Sequence, residues 1–506
     1  MPDAAGPSRS GPDRHADPHA ETRAPRQAPR PAHRQARGFR IGKKTQSRSL
    51  QLQAIDGLSE CASCGYFQRL PELEPGQVAD CRRCHGQLGR RRTNPPISTP
   101  LAFCIASAVL YLVAITQPMM TLDLFGRIHA VTLLTGPIEL WHEGWTLVAV
   151  LVLAATVLVP PIVIGLMLAV LVGAARERLP GWAPKLMRRY EYLRPWSMVE
   201  VYMLGIFVAY TKLIDLAHVT LGPAVYALAA LMLTMAATDS TLDVDQIWRK
   251  RRVSRFVRLP DGRRVVVSTV DSTEHALPPA GRLVSCTSCG LVCASEFDLP
   301  RDIVLGHCPR CQAPVRLRKP QSLSRCVAML ACAIVLYVPA NLYPVMTIVK
   351  LSRGGGHTIL AGVRELYEAH MLPLALLVFF ASVTVPVLKI GGLSIMCWCT
   401  WRGSAARLVD RARLFRLIVF IGRWSMIDVF MISILVALVR FGGLAQITAE
   451  PGMFAFAAVV VVTIFAADSF DPRTMWDVAG MNGVMTPREV RRITDKTNLE
   501  TESVAA

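Results

Sequence analysis

The sequence predicts an all-α polytopic membrane protein, built as a tandem parallel repeat of about eight transmembrane helices with two small β domains of the zinc-ribbon type. Three observations support this prediction. Of the 506 residues, 52% are hydrophobic and only 18% are charged, which is unusual for a soluble protein. Paired C-x2-C motifs occur twice, and apolar runs follow each pair. We therefore expect two copies of one module, each a cysteine-rich domain followed by a membrane domain.

The two cysteine sets have the spacing of four-cysteine zinc sites. Each C-x2-C turn can present two thiolates to one ion, and the hairpin between two turns brings in the other pair. Because four protein ligands leave no open coordination position, we expect two structural Zn²⁺ ions that stabilise domains too small to have a large core. The predicted ligands are Cys61, Cys64, Cys81 and Cys84 in the first domain and Cys286, Cys289, Cys308 and Cys311 in the second.

Motifs outside the cysteines repeat as well. Pro118-Met-Met-Thr121 returns as Pro344-Val-Met-Thr347, and Trp196-Ser-Met-Val-Glu200 returns as Trp424-Ser-Met-Ile-Asp428. Each half contains four apolar runs of about the length a membrane span needs. An even number of spans returns the chain to its starting side, so both ribbons should lie on one side of the membrane. The runs are at 97–117, 145–175, 197–215, 221–238, 324–343, 371–399, 424–441 and 453–468.

Charge and cysteine chemistry both predict that this side is the cytoplasm. Segment 176–194 carries six lysines and arginines and segment 402–423 carries six arginines, whereas loop 118–142 carries only Arg127. Basic loops of membrane proteins face the cytoplasm. Unpaired thiols also favour a reducing compartment. We therefore expect a multi-pass protein with cytoplasmic ribbons.

A lysine interrupts the sixth apolar run. Lys389 follows residues 371–388, which contain no charge, and the first half has Val163 at the matching position. A charged group inside a membrane is costly unless protein or water surrounds it, so Lys389 is a candidate for a transport pocket, with snorkelling to the cytoplasmic surface as the alternative. The other candidate pocket residues are the helix-breaking Pro386, the polar residues Ser425 and Thr463, and the acids Asp239, Asp428 and Asp468.

Several function classes are disfavoured. Residues 1–50 carry 11 basic and 4 acidic residues and read as a disordered basic arm, but with Phe39 as their single aromatic residue they lack the aromatic interleaving of nucleic-acid binding segments. Segment Gly38–Thr45 lacks the spacing of a phosphate loop, so ATP hydrolysis is not expected. No catalytic residues are predicted, and the protein is expected not to be an enzyme. The predicted divisions are an arm (1–50), ribbon 1 (51–94), membrane domain 1 (95–245), a linker (246–282), ribbon 2 (283–320), membrane domain 2 (321–472) and a tail (473–506).

The motifs together resemble a known family. The doubled cysteine ribbons, the Pro-x-Met-Thr turns, the stretch Arg423–Phe430 and the Ala-Asp-Ser-Phe-Asp-Pro sequence at 467–472 resemble the paraquat-inducible protein A family, which includes the LetA proteins. The resemblance covers roughly residues 52–480. The first half departs from the second in having Thr241-Leu-Asp243 at the equivalent of Phe470-Asp-Pro472, and in lacking the lysine.

The resemblance implies a function and a location. It implies a bacterial inner-membrane component of a phospholipid transport system that works with an MCE-domain protein, whose hydrophobic tunnel crosses the periplasm. The expected partners are phospholipid, the membrane and that tunnel protein, with no nucleic acid. The alternatives are a membrane-anchored zinc or redox stress sensor or scaffold, which requires reactive thiols, and a small-ion or drug exporter, which favours several intramembrane acids along one path.

Overall fold

The computed structural model describes residues 52–482 with short gaps. The gaps are at 72, 92–96, 125–126, 177–178, 214–217, 259–263, 273–277, 296–298, 300–303, 351–352, 369 and 439–444. The predicted basic arm at 1–50 and residues 483–506 of the predicted tail lie outside the described residues.

The first half is a small β domain followed by helices. The strands of ribbon 1 are β1 (Leu52–Asp56), β2 (Leu58–Glu60), β3 (Phe67–Arg69), β4 (Val78–Asp80) and β5 (Gln87–Arg90). The membrane domain contains α1 (Ser98–Thr116), β6 (Met120–Leu124), β7 (Arg127–Val131), α2 (Thr135–His142), α3 (Thr146–Leu153), α4 (Val159–Ala174), α5 (Ala183–Leu193), α6 (Val199–Leu213), β8 (His218–Leu221) and α7 (Pro223–Thr241).

The second half repeats this order after a structured connection. The connection contains α8 (Val244–Arg249), β9 (Phe256–Arg258) and β10 (Arg264–Asp271). Ribbon 2 contains β11 (Leu283–Ser285), β12 (Val292–Ser295), β13 (Gly306–His307) and β14 (Pro314–Val315). The second membrane domain contains α9 (Ser322–Leu342), β15 (Met346–Lys350), β16 (Arg353–His357), α10 (Ile359–Glu368), α11 (Leu372–Phe379), α12 (Val385–Arg402), α13 (Leu408–Ile421), α14 (Ile427–Leu438), β17 (Ala445–Ala449), α15 (Pro451–Ser469) and α16 (Arg473–Val478).

Seven helices among the described residues are long and apolar enough to cross a membrane. They are Ser98–Thr116, Thr146–Ala174, Pro223–Thr241, Ser322–Leu342, Leu372–Arg402, Leu408–Leu438 and Pro451–Ser469. The remaining predicted span corresponds to α6, which has 15 described residues. In the second half the matching segment is continuous from α13 through a 3-10 turn into α14, whereas in the first half Ser197 is extended and separates α6 from α5. The prediction of a mostly helical, polytopic membrane protein is confirmed.

Both long central helices contain a π-helical turn at the same place. The turns are Ala154–Leu158, between α3 and α4, and Phe380–Thr384, between α11 and α12. Each lies immediately before a proline, Pro160 in the first half and Pro386, predicted to be helix-breaking, in the second. A proline cannot donate its backbone hydrogen bond, so the wider turn accommodates the interruption.

Each membrane domain also has a three-stranded antiparallel sheet that the sequence did not predict. The strand orders are β7-β6-β8 and β16-β15-β17. Helix α1 separates β6 from ribbon 1, and its 19 residues extend about 28 Å. The sheets and the ribbons therefore lie at opposite ends of the membrane domains.

A five-stranded sheet joins the two ribbons. Its order is β11-β12-β1-β10-β9, so β1 of ribbon 1 lies between ribbon 2 and the connection. Strand β1 pairs antiparallel with β12 and parallel with β10. Part of the segment predicted as a linker is thus part of the folded body.

Each ribbon contacts the membrane domain of the other half. Arg416 on α13 donates a hydrogen bond to the Cys84 carbonyl oxygen of ribbon 1 at 3.2 Å. Ser288 of ribbon 2 donates to Glu191 on α5 at 3.5 Å. Since α5 and α13 are equivalent elements, the ribbons are exchanged between the halves.

Helix α14 forms the centre of the membrane domains, and all 12 of its residues are buried. It packs on α6, where Gly205 faces Phe430 and the rings of Tyr202 and Phe430 meet edge to face with centroids 5.6 Å apart. On α2, a side chain at Gly136 would clash with Ser433, so the glycine permits close approach.

Candidate functional site

Lys389 lies in the interior of the second membrane domain. It is the fifth residue of α12, just after the π-helical turn and Pro386. The residue is only 1% exposed. The side chain therefore points into the bundle instead of snorkelling to the surface.

Three helical segments meet at the Lys389 amine: α12, which carries the lysine, a 3-10 turn and α15. Its Nζ donates to the Ser425 hydroxyl at 3.0 Å and to the Thr463 hydroxyl at 3.5 Å. Ser425 lies in the 3-10 turn Gly422–Met426, and Thr463 lies on α15. Both hydroxyls are 1% exposed and donate in turn to main-chain carbonyls, Ser425 to Gly422 and Thr463 to Val460. We call Lys389, Ser425 and Thr463 the lysine cluster.

Gly422 leaves the space that the lysine occupies. A β-carbon at this position would lie 2.9 Å from Lys389 Cε, which is closer than two carbons can pack. The sequence did not single out this residue. What could have pointed to Gly422 is its position: it begins the 3-10 turn that also contains the predicted Ser425.

The predicted acids have different surroundings. Asp428 is buried in the first turn of α14, three residues after Ser425. Asp239 accepts a hydrogen bond from the Tyr190 hydroxyl at 2.9 Å and pairs with Arg194. Asp468 is exposed at the end of α15 and pairs with Lys319 at 3.4 Å. The structure thus brings Lys389, Ser425 and Thr463 together, while Asp239 and Asp468 are engaged with other residues.

The eight predicted cysteine ligands form two buried clusters. In each cluster the four sulfur atoms lie within 4.8 Å of one another. The closest pairs are 3.4–3.6 Å apart in both ribbons. Metal–sulfur bonds of about 2.3 Å in a tetrahedron require sulfurs in this range of separation, so both clusters can hold a metal ion.

The ribbons use the same backbone turn at the first pair of cysteines. The amide of Gly65 donates to the Cys61 carbonyl at 2.8 Å, and that of Gly290 donates to the Cys286 carbonyl at 2.9 Å. Both glycines have positive φ, +69° and +70°, a conformation that glycine adopts without a steric penalty.

Comparison with known proteins identifies the family. The family model for paraquat-inducible protein A matches twice, at residues 97–252 and 323–479. The chain belongs to this family. Because one model matches both membrane domains, the comparison also supports the internal repeat.

Relatives within the paraquat-inducible protein A family are similar along nearly their whole length. The chain is 31% identical to the "Intermembrane transport protein PqiA" of Escherichia coli strain K12 over 82% of this chain and 95% of the relative. It is 29% identical to the "Lipophilic envelope-spanning tunnel protein A" of the same organism, over 82% and 90%. A "Probable intermembrane transport protein" of Haemophilus influenzae is 25% identical over 83% and 95%. No solved structure matches the chain.

This family member also has a buried ionic network that sequence reasoning missed. Arg318, just before α9, contacts Glu60 of ribbon 1 at 3.2 Å and Asp477 of α16 at 2.7 Å. Arg473 contacts the same Glu60 at 3.0 Å and Asp471 at 2.9 Å. All five side chains are 9% exposed or less. We call these residues the ribbon latch, because they hold ribbon 1 against the end of the second membrane domain.

Electrostatics favour the ionised forms of Asp471 and Arg473 within the latch. Burial alone would raise the pKa of Asp471, but the adjacent Arg473 and the nearby Arg318 lower it to about 2. Burial lowers the pKa of Arg473, and its partners Glu60 and Asp471 more than offset this effect, so its pKa is raised. Only the acidic residue at position 471 belonged to a recognised sequence motif. Apart from the neighbours Arg473 and Asp471, the paired residues are 159 to 413 positions apart in the sequence, so no local pattern indicates the network.

Proposed function

We propose that this protein is the inner-membrane component of a phospholipid transport system, and that it passes lipid to or from a periplasmic MCE-domain tunnel protein. The relatives named as intermembrane transport proteins and as an envelope-spanning tunnel protein support transport between membranes. The seven apolar helices support a multi-pass protein. The proposed role is transport, with no catalytic step.

The lysine cluster is the observation that carries the proposal. Among the described residues, the buried Lys389 amine donates hydrogen bonds only to hydroxyl groups. It therefore differs from an amine held in a structural ion pair. Such an amine can meet a lipid phosphate, or it can take up and release a proton that drives transport. Asp428 and Pro386 complete the proposed pocket. The helices are interrupted beside the lysine by a π-helical turn and a 3-10 turn, and transporter sites are typically formed by such discontinuous helices.

The proposed ribbons are structural zinc domains in the cytoplasm. All eight sulfur-bearing residues are 7% exposed or less, which favours permanently held metal over a reactive redox sensor. Bound Zn²⁺ would supply folding energy to each ribbon. The exchanged ribbons would then brace the cytoplasmic helix ends.

Site-specific photo-crosslinking in native membranes tests the proposal. A photoreactive amino acid is placed at the half-buried Leu388, and separately at Ser425, and attached phospholipid is scored with and without Lys389→Ala. We expect lipid at Leu388 that decreases in Lys389→Ala but persists in Lys319→Ala, a matched change at a half-exposed lysine. A probe at Val335, which is 70% exposed, reports contact with bulk lipid. Absence of lipid at both pocket sites, or equal labelling in all variants, would contradict the proposal.

A further inference from the structure

A large cleft lies between the two ribbons and the connection, and none of its lining residues belongs to the lysine cluster. Its volume is about 980 Å³, in the upper part of the range of small-molecule sites. Parts of ribbon 1, α8, β10 and ribbon 2 line it.

The cleft has an excess of positive charge. Seven arginines and four aspartates line it. Among them Arg90, Arg249 and Arg252 have exposed side chains, so their guanidinium groups can meet a ligand. Arginine suits phosphate because its planar fork makes two parallel hydrogen bonds.

Two buried groups in the wall lack a hydrogen-bond partner within the described part of the chain. They are the indole Nε1 of Trp248 and the guanidinium Nε of Arg310. Trp248 is 2% exposed, and both residues line the cleft. Each orphaned group is an N–H donor, and leaving a buried donor without a partner is destabilising. The missing partner is therefore a hydrogen-bond acceptor.

Neighbouring contacts fix this wall in place. Arg310 pairs with Asp56 of ribbon 1 at 3.2 Å, and its carbonyl accepts a hydrogen bond from Arg251 Nε. The cleft is thus shaped by residues from both ribbons and from the connection.

The cleft is close to the membrane end of the helices. Helix α8 begins three residues after α7 ends. Lys250, directly after α8, donates to the Ala174 carbonyl at the end of α4 at 2.7 Å. A ligand could reach this position from solution or from the lipid surface.

We infer that this cleft binds a phosphate-bearing ligand, either a soluble phosphate compound or the headgroup of an anionic phospholipid. The exposed arginines bind the phosphate oxygens, and the orphaned donors of Trp248 and Arg310 contribute to the wall beside them. The site is separate from the proposed lipid pocket, and its occupancy does not depend on transport.

Titration calorimetry on the full chain in detergent tests the inference, with inorganic pyrophosphate as the probe. We expect saturable binding that the double variant Arg249→Gln/Arg252→Gln weakens at least about tenfold, since it removes two charged hydrogen-bond donors from the phosphate. Trp248→Phe keeps an aromatic side chain, although a smaller one, and removes the N–H, and should also weaken binding. Arg316→Gln, an exposed arginine of ribbon 2 outside the cleft, should leave the affinity unchanged.

A second arm distinguishes the two sources. The chain is placed in nanodiscs of phosphatidylcholine alone or with phosphatidylglycerol, and pyrophosphate binding is measured again. Loss of binding only with phosphatidylglycerol identifies a lipid headgroup, and unchanged binding identifies a soluble ligand; both support the site. The inference is overturned if pyrophosphate does not bind and phosphatidylglycerol does not contact the cleft arginines in crosslinking. It is also overturned if Arg316→Gln weakens binding as much as the double variant does.

Discussion

At the scale of single residues, the central feature is an ionisable side chain, Lys389, buried where the membrane domain is packed. Lys389 is a candidate from sequence because a lysine inside an apolar run is costly and rare. The partners Ser425 and Thr463 were also predictable as polar residues in apolar surroundings. Gly422 was not, because a glycine gives no sign of which side chain it makes room for. The geometry supplies that information.

Gly422→Ala should displace the Lys389 side chain. The added β-carbon would lie 2.9 Å from Lys389 Cε, so the amine must move away from Ser425 and Thr463. We expect a loss of about 1–3 kcal/mol in stability and a decrease in lipid transport. The matched control is Gly391→Ala on α12, the helix that carries Lys389, where nothing lies within 4 Å of the added carbon. Thermal unfolding and a transport assay measure the two effects. Equal stability and equal lipid transport in the two variants would show that the Lys389 side chain does not need the space beside Gly422.

Asp471 should make stability depend on pH in the acid range. Its pKa in the folded protein is about 2, below the ordinary value of about 3.9. A lowered pKa contributes stability above pH 4, and this contribution is lost as pH falls towards 2. The difference in melting temperature between the wild type and Asp471→Asn should therefore be large at pH 5–7 and shrink below pH 4. A difference that stays constant with pH would contradict an ionised Asp471.

At the scale of elements, local patterns predicted the helices and ribbons but not their partners. Apolar runs located the spans to within a few residues, except that the run at 424–441 belongs to a helix that begins at Leu408. That start was missed because α13 carries several arginines, which local hydropathy assigns to a loop. The exchange of ribbons and the five-stranded sheet depend on contacts between distant segments, which periodicity does not encode.

The ribbon latch should be essential for docking ribbon 1. Asp477 is fully buried and accepts two hydrogen bonds from Arg318, at 2.7 and 2.9 Å. Asp477→Asn leaves a buried arginine without its main charge partner, and breaking such a pair costs about 3–5 kcal/mol. Limited proteolysis should then cut ribbon 1 faster than in the wild type. Asp410→Asn, at an exposed pair with Arg413, should change little. Unchanged protection in Asp477→Asn would mean that other contacts hold the ribbon.

The cysteine clusters should bind two metal ions per chain. Elemental analysis of the purified protein should find two zinc ions, and Cys84→Ser should retain only the ion of ribbon 2. We expect chelation to lower the melting temperature, because metal binding contributes to folding of such domains. Easily exchanged zinc with no change in melting temperature would favour the sensor alternative.

At the scale of the whole molecule, duplication and charge bias predict the topology. The two matches to one family model support the repeat, and the sheets and ribbons lie at opposite ends of the helices. The asymmetry between halves was also visible, since Val163 replaces the lysine and is buried in α4. The cleft between the ribbons was not predictable, because it forms only when both ribbons and the connection fold together.

Reporter fusions should place the ribbon side in the cytoplasm. A fluorescent protein that folds only in the cytoplasm should fluoresce when it is fused after Gly181, in the basic loop between α4 and α5. Alkaline phosphatase, which is active only in the oxidising periplasm, should be active when it is fused after Gly144, between α2 and α3. Both glycines are exposed, so the insertions should be tolerated. The opposite pair of activities would reverse the proposed orientation.

Lipid flux tests the central claim most directly. The protein and the proposed MCE-domain partner are reconstituted in donor vesicles, and transfer of a fluorescent phospholipid to acceptor vesicles is compared for the wild type, Lys389→Met and Lys319→Met. The account predicts that Lys389→Met stays folded and abolishes most transfer, while the change at the half-exposed Lys319 leaves transfer near the wild-type rate. Wild-type transfer by Lys389→Met would contradict the account.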